Sequence, residues 1–359
     1  MTSSTLHNVI VKLGTSSLTN ADGVIDIETI ERVATELAAL RTEGHRITVV
    51  SSGAIAAGLP ALGMVAGDRP TEAVALQAIS SIGQTQLMET WRRAFVQWDL
   101  VIGQILLAPH NFGERSQYLH ARSTLDKLHE LGVIPIVNEN DAVTDAEIRY
   151  GDNDRIAALV ANMVEADTLL LLTDTDGVLT EDPNDNPDAS LIEEIRDFDG
   201  LGDSNIGGPG TVRGSGGMAS KLTAAKIASR SGVRTVIASA AREGVVADAV
   251  HGVSGVGTVV PPQGEPMPAR KLWIGFAMPV SGRFVVDAGA HAALAAGGRS
   301  LLAVGVTASE GGFERRDAVE IVDPSGTPFA RGLARVAHSE LGDTSEGDVL
   351  VHADDLVVI

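Results

Sequence analysis

Short apolar segments alternate with segments of helical period along the first 260 residues of the chain. Each apolar segment is at most eight residues long and is rich in Val, Ile and Leu, which is typical of strands covered on both faces. The predicted strands lie at 9–13, 46–50, 100–107, 133–137, 168–173 and 234–239. Helices are predicted at 71–98, 119–131, 154–166 and 217–231, and an earlier helix before Gly44 has an apolar stripe of Ile30, Val33, Leu37 and Leu40.

This alternation of strands and helices predicts an α/β fold. We expect three layers, α/β/α, in which helices cover both faces of a mainly parallel open sheet. Ligands of such sheets bind where the C-terminal ends of the strands meet. Polar clusters that follow the predicted strands are therefore the candidates for a functional site.

A proline-rich segment, PPQGEPMP at 261–268, interrupts the alternation. Four prolines and one glycine within eight residues are typical of a linker. We predict a first domain at 1–260, a linker at 261–276 and a second domain at 277–359. The β-type stretches RFVVD, SLLAVGV and VEIVD, separated by turns, predict a small β-rich fold for the second domain.

Charge and composition narrow the classes of partner. The 359 residues have a formal charge of −20, which argues against general affinity for nucleic acid or anionic lipid. The absence of cysteine removes disulfides, thiolate metal sites and cysteine nucleophiles, and it fits a reducing compartment. No apolar run reaches the roughly 18 residues that span a bilayer, and MTSSTLHN has no features of a secretion signal. We expect a cytoplasmic protein without a membrane partner.

Lysine is rare in this chain, with five copies against 22 arginines. One of them, Lys12, lies at the end of the first predicted strand, directly before a turn that contains Gly14 and Thr15. Glycine lets the backbone approach an anion closely, and a lysine beside it supplies a point charge for a phosphoryl group. Taken alone, the turn has a simpler interpretation, in which the lysine extends from a strand end into solvent.

Further polar clusters follow the second and fourth strands. Ser52 and Gly53 form a small turn that opens toward a helix, which is a weak signal by itself. The fourth strand is followed by Asn-Glu-Asn-Asp at 138–141 and by Tyr-Gly-Asp-Asn-Asp at 150–154. One such residue could cap the next helix, but two clusters exceed what a cap requires. The carboxylates could bind an ammonium group or orient lysines, the amides could bind a carboxylate, and a metal ion is a further alternative.

A second lysine lies in a glycine-rich setting. The segment 202–217 is rich in glycine and is followed by Lys221 in the first turn of a predicted helix, where a cation opposes the helix dipole unless a bound polyphosphate reverses the effect. Thr173 and Asp174 follow the fifth strand, although they could be simple turn residues. Neither a Walker A nor a dinucleotide motif is present. If the turns at Lys12 and Lys221 converge, their ammonium groups could bracket a transferring phosphoryl group, as in a kinase.

Six motifs resemble, in sequence and in order, those of the amino acid kinase family: VKLGTSSL, VVSSGAIAAG, PIVNENDAV, YGDND, LLTDTDGV and GSGGMASK. SSGAIAAG, NENDAV and GDND are similar to the glutamate 5-kinase branch of that family. The resemblance spans about residues 7–260, and the tail resembles a PUA domain. It implies the amino acid kinase fold and ATP-dependent phosphorylation of the side-chain carboxylate of L-glutamate to γ-glutamyl phosphate, the first step of proline synthesis.

The resemblance also implies roles for individual residues. Lys12 and Lys221 would stabilise the γ-phosphoryl group, and Asp154 would hold the two lysines in place. Glutamate would be bound by Ser52, Gly53, Asn138, Asp141, Asp152 and Asn153. ATP would be surrounded by Lys12, Gly14, Thr15, Thr173, Asp174, Ser215, Gly216, Gly217, Met218, Ala219, Ser220 and Lys221. Mg²⁺ would be held mainly by phosphate oxygens, without a direct protein ligand.

The same resemblance also bears on the assembly and regulation of the protein, and other functions remain as alternatives. The resemblance implies a homo-oligomer, either a dimer or a tetramer, and feedback inhibition by proline. A kinase of the same fold with another acceptor, a nucleotide-sensing regulator and an RNA-binding protein are the alternatives. RNA binding is disfavoured, because residues 277–359 contain six arginines, no lysine and twelve acidic residues.

Overall fold

The computed structural model describes residues 6–143, 153–181, 186, 188–198 and 217–359. The chain divides into two compact units, Met1–Pro266 and Met267–Ile359. The boundary falls within the segment 261–276 that the sequence predicts as a linker. Residues from Met267 onward, including a short helix at Ala269–Leu272, belong to the second unit.

A seven-stranded sheet forms the centre of the first unit. Its strands are β1 (Asn8–Leu13), β2 (Arg46–Ser51), β3 (Ile102–Leu107), β4 (Ile134–Glu139), β5 (Thr168–Thr173), β6 (Arg234–Ser239) and β7 (Thr258–Val260). Their order is β3-β4-β2-β1-β5-β6-β7, and only the β6–β7 pair is antiparallel. All six predicted strands are present, while the three-residue β7 was not predicted.

Helices cover both faces of this sheet, as predicted. They are α1 (Thr15–Leu18), α2 (Ile27–Thr42), α3 (Ala54–Ala61), α4 (Ala73–Val96), α5 (Arg115–Glu130), α6 (Asn153–Met163), α7 (Met218–Arg230) and α8 (Val245–Val250). Side chains of α2, α3, α4 and α8 share one hydrophobic core with alternate residues of the strands, such as Val9, Val11 and Leu13 of β1. The intervening Lys12 points to the other face, where it meets α6.

The predicted stripe of the second helix faces the core. Ile30, Val33, Leu37 and Leu40 are all fully buried. The Asp26 side chain caps the helix by accepting a hydrogen bond from the Thr29 amide, and Gly44 has a left-handed φ of +97° just after the helix ends. Local sequence signals therefore determine both ends of α2.

Helices α3 and α4 cross with their backbones in contact. A Cβ atom at Gly83 of α4 would lie 1.7 Å from the carbonyl oxygen of Ala54, and one at Gly58 of α3 would lie 2.2 Å from that of Ile79. Only glycine fits at these two positions. Because α3 begins directly after Gly53, whose φ is +93°, this crossing fixes α4 relative to the turn at the end of β2.

The second unit is a small β-rich fold. It begins with α9 (Ala269–Leu272), and its strands and further helix are β8 (Val280–Val286), α10 (Ala288–Ala295), β9 (Leu301–Leu302), β10 (Val306–Gly311), β11 (Ala318–Val322), β12 (Pro328–Ala334) and β13 (Val349–Val358). The six strands form one sheet in the order β10-β8-β11-β12-β13-β9. Phe284 and Phe313 pack edge to face in its core. In the described part of the chain, no helix has both the length and the apolar character needed to cross a membrane.

Candidate active site

Lys12 and Lys221 meet at a single carboxylate. The Nζ atom of Lys12 lies 2.6 Å from Oδ1 of Asp154, and the Nζ atom of Lys221 lies 3.4 Å from Oδ2 of the same group. The three residues come from β1, α7 and α6, and each side chain is at most 4% exposed. The sequence predicted that the two lysines converge, and the fold brings them together across about two hundred residues of chain.

One carboxylate, that of Asp154, contacts two lysine side chains in this centre. Burial by itself would raise the pKa of Asp154, but the charges of Lys12 and Lys221 and their hydrogen bonds outweigh burial and hold that pKa below its usual value. The carboxylate is therefore ionised and contacts two buried ammonium groups. Two ammonium groups held at one point suit the binding of an anionic ligand.

The glycine turn after β1 adjoins the same centre. A Cβ atom at Gly14 would lie 3.3 Å from Nζ of Lys12, so the ammonium group lies directly over this part of the backbone. Gly14 is also the residue directly before α1, which starts at Thr15. No side chain caps the N-terminus of this helix with a hydrogen bond. The glycine turn and the ammonium group thus lie side by side, and an anion site here stays a prediction.

The other predicted nucleotide residues lie on neighbouring elements. Thr173 is the last residue of β5, and its hydroxyl donates a hydrogen bond to Asp174 at 3.1 Å. Gly217 precedes α7 without a side-chain cap, and Met218, Ala219 and Ser220 form the first turn of that helix before Lys221. Ser215 and Gly216 lie outside the described residues.

A buried amide network joins the ends of β2 and β4. The Nδ2 group of Asn153 donates to Oγ of Ser52 at 3.0 Å and to Oδ1 of Asn138 at 2.9 Å. The amide of Glu139 donates to Oδ1 of Asn138 at 2.8 Å and to Oδ1 of Asn153 at 3.2 Å. Three predicted substrate residues, Ser52, Asn138 and Asn153, are therefore fixed relative to one another.

One donor of this network lacks a partner among the described residues. The Nδ2 group of Asn138 is buried and makes no hydrogen bond there, although Asn138 itself is only 3% exposed. An unsatisfied buried donor is costly, roughly 1–3 kcal/mol, and its hydrogen-bond requirement is met if a ligand supplies an acceptor. A carboxylate oxygen is such an acceptor.

Asp141 lies beyond the end of β4, beside a cavity of about 160 Å³. Burial raises the pKa of its carboxyl group above the usual value, while a hydrogen bond from Ser80 and the charge of Arg69 oppose that effect. Asp152, the remaining predicted substrate residue, lies outside the described part of the chain.

Two residues near the site were not predicted from the sequence. Ser80 of α4 donates its hydroxyl hydrogen to Asp141, and Trp91 of the same helix donates from Nε1 to Oγ of the buried Ser51 at 3.0 Å. A signal for Ser80 exists, because it lies on the apolar stripe of α4 with Leu76 and Leu87, where a polar side chain is unusual.

One group of described residues has metal-ligand spacing, namely Glu43, His45 and His251. It lies at the N-terminal end of β2, away from the strand ends discussed above. The amide of His7 donates to Nδ1 of His45 at 3.0 Å, so a neutral imidazole keeps its proton on Nε2, which lies 3.4 Å from Glu43. Since a metal would need that Nε2 unprotonated, the hydrogen bond at Nδ1 disfavours metal binding by His45.

Comparison with known proteins now places this geometry in a family. The model of the amino acid kinase family matches residues 8–239, and that of the PUA domain matches residues 282–351. The chain is 40% identical to a glutamate 5-kinase of Geobacter sp. (strain M21), covering 99% of this chain and 98% of the relative. The chain belongs to the amino acid kinase family, and to its glutamate 5-kinase branch.

A second curated relative and two solved structures are also similar to the chain. A glutamate 5-kinase of Pseudomonas syringae pv. tomato is 43% identical over 98% of this chain and 97% of its own length. The isopentenyl phosphate kinase of T. acidophilum and the carbamate kinase of Giardia lamblia share the fold with TM-scores of 0.50 at 18% identity. They cover 70% and 72% of this chain and 99% of their own.

Proposed function

We propose that this kinase transfers the γ-phosphoryl group of ATP to the side-chain carboxylate of L-glutamate, forming γ-glutamyl phosphate in the first step of proline biosynthesis. The observation that carries the proposal is the convergence of two buried lysines on Asp154. Phosphoryl transfer requires positioned reactants and neutralisation of negative charge, and it needs no covalent intermediate on the protein.

Lys12 and Lys221 supply the charge neutralisation. As the phosphoryl group moves from ADP to the acceptor oxygen, negative charge accumulates on the three oxygens of the moving group. Ammonium groups that are already fixed by Asp154 need no reorganisation when this charge develops, which lowers the barrier to transfer. Asp154 touches the lysines and acts through them, so its role is to orient them.

When bound, ATP together with Mg²⁺ would supply the phosphoryl group and part of the charge neutralisation. The chain fits such a ligand, because Lys12, Lys221 and the first turns of α1 and α7, which have no side-chain cap, lie at or after the ends of strands that terminate at the same edge of the sheet. Gly14, Thr15 and the first turn of α7 would hold the phosphates. Thr173 and Asp174 would face the nucleotide from the end of β5.

The acceptor fits the buried polar groups at the ends of β2 and β4. The partnerless Nδ2 group of Asn138 would donate to a carboxylate of glutamate, with Ser52 and Asn153 beside it. The carboxylate of Asp141 would pair with the α-ammonium group. An acceptor without an ammonium group leaves Asp141 buried and unpaired, which favours a free amino acid over an acylated one.

The trapping of the acyl phosphate tests the reaction. Purified protein, ATP, Mg²⁺ and L-glutamate are incubated with hydroxylamine, and the γ-glutamyl hydroxamate is measured. We expect its formation to require all three reactants. Release of ADP, which is the product common to all acceptors, should be at least tenfold slower when aspartate, acetylglutamate or uridylate replaces glutamate. Folded protein that forms no hydroxamate from glutamate would overturn the proposal.

Replacing Asp141 by asparagine separates binding from chemistry. We expect Asp141→Asn to raise the KM for glutamate by at least about tenfold, because the ammonium group loses a buried anionic partner, with kcat changed much less. Asp99→Asn is the matched control, since Asp99 is exposed and its φ of +53° suits asparagine equally well. Equal kinetics of the two variants would show that Asp141 does not bind the substrate.

Assembly, regulation and location are part of the same proposal. We propose a homo-oligomer of this kinase that is inhibited by proline and acts in the cytoplasm, where ATP is available. Support for assembly comes from β3, an edge strand whose neighbourhood exposes Val101 and Leu106 beside a groove of about 820 Å³ along α4. Exposed edge strands with apolar side chains pair readily with a second chain.

A further inference from the structure

Ser80 makes a hydrogen bond that is unusual for a serine inside a helix. Serine and threonine hydroxyls in helices commonly donate to the carbonyl oxygen four residues earlier. In α4, Ser81 does so to Gln77 at 2.9 Å and Thr90 does so to Gln86 at 3.0 Å. The hydroxyl of Ser80 instead donates across to Oδ2 of Asp141, 61 residues away in the chain.

The two partners are buried together. Ser80 is 1% exposed and Asp141 is 9% exposed, so water competes little for this bond. A hydroxyl group has one hydrogen to donate, and here it satisfies one oxygen of the carboxylate. The hydrogen bond thus orients the carboxyl group, with Oδ1 left for another partner.

The framework that carries Ser80 is rigid. Gly83 lies one turn further along α4, where its backbone touches the carbonyl oxygen of Ala54 in α3. Since α3 follows the Ser52–Gly53 turn directly, α4 connects that turn to Asp141 through Ser80. This close backbone contact opposes a shift of Ser80 along the helix axis.

We propose that Ser80 is a positioning residue for substrate binding, holding the carboxylate of Asp141 in the orientation that receives the ammonium group of the acceptor. This role rests on the proposed function, in which Asp141 binds glutamate. Ser80 touches Asp141 and acts through it, so its loss affects binding of the acceptor more than the chemical step.

The hydrogen bond also bears on the charge state of Asp141. Ser80 and the charge of Arg69 both favour the ionised carboxylate against the effect of burial. Glu139, also buried, lines the same cavity, and no further charged residue of the described chain does so. Removal of the hydroxyl raises the pKa of Asp141, because it removes a donor to the charged form. As the pH is lowered, the variant without this hydroxyl should therefore lose its binding of an ammonium group at a higher pH than the wild type does.

Steady-state hydroxamate formation by Ser80→Ala tests this role. We expect the KM for glutamate to rise roughly fivefold, the effect of one lost hydrogen bond, while kcat and the KM for ATP stay within about twofold. The acid limb of kcat/KM for glutamate should move up by about half a pH unit. Alanine favours helix, so thermal unfolding should show a folded variant. Ser80→Thr, which keeps a hydroxyl, should recover part of the loss.

Thr90→Ala is the matched control, because its hydroxyl bonds within α4 to Gln86 and Thr90 does not line the cavity beside Asp141. It should leave both KM values and the pH profile unchanged. If wild-type protein is active and Ser80→Ala matches Thr90→Ala in KM and in the acid limb, the positioning role is wrong while the proposed function stands. If wild-type protein forms no hydroxamate from glutamate, the proposed function is overturned and the role of Ser80 with it.

Discussion

Lys221→Ala lowers kcat for hydroxamate formation by about 10²–10³-fold, the effect of removing one fixed donor from a charge-stabilising site. The KM for glutamate should change by less than about threefold, because Lys221 acts on the phosphoryl group and not on the amino acid. Lys12 and the nucleotide-bound metal remain in this variant, so residual activity is expected.

Lys226→Ala is the control for this variant. Lys226 lies five residues further along the same helix, and among the described residues the ion pairs of Asp154 are with Lys12 and Lys221. Its kcat should stay within about twofold of wild type. Full turnover by the Lys221→Ala variant would show that Lys221 takes no part in the chemistry. Its buried contact with Asp154 would then be structural.

Asp154→Asn combines a loss of stability with a loss of turnover. The neutral amide removes the carboxylate that both buried ammonium groups contact, which should lower the free energy of unfolding by about 3–5 kcal/mol. Misplaced lysines should also lower kcat, by about 10²-fold. Thermal unfolding and hydroxamate formation measure the two effects separately.

Added ATP and Mg²⁺ should distinguish an anion site from a structural ion pair in this variant. Phosphate groups replace part of the missing negative charge, so the nucleotide should raise Tm more for Asp154→Asn than for wild type. Asp126→Asn is the control, because the side chain of Asp126 on α5 is 46% exposed. It should change the free energy of unfolding by at most about 0.5 kcal/mol. An equal rise of Tm in all three proteins would contradict the proposed contact between the lysines and the phosphates.

The sheet was predictable because its strands are buried on both faces and appear as continuous apolar runs. β7 was missed, since a strand of three residues beside Gly257 and Pro261 has no such pattern. The start of α5 was placed four residues late, at 119 instead of Arg115, because its first turn is polar and exposed. Such a turn has no apolar period to detect.

The site was predictable where it depends on topology. Parallel strands end at one edge, so a lysine at the end of β1 and a glycine-rich helix start were expected to meet, as Lys12 and Lys221 do. The direction of a single hydroxyl group was not predictable. Ser80 and Ser81 are identical neighbours in the sequence, and only the crossing of α3 and α4 decides which of them reaches Asp141.

A crystal structure of the protein with ADP, Mg²⁺, aluminium fluoride and L-glutamate tests the central claim most directly. The fluoride complex imitates the phosphoryl group in transfer, and we expect the Nζ atoms of both Lys12 and Lys221 within hydrogen-bond distance, about 3 Å, of its equatorial ligands. Glutamate should present a side-chain oxygen in line with the group. A complex in which either ammonium group stays on Asp154 alone, beyond reach of the fluoride, would contradict the account.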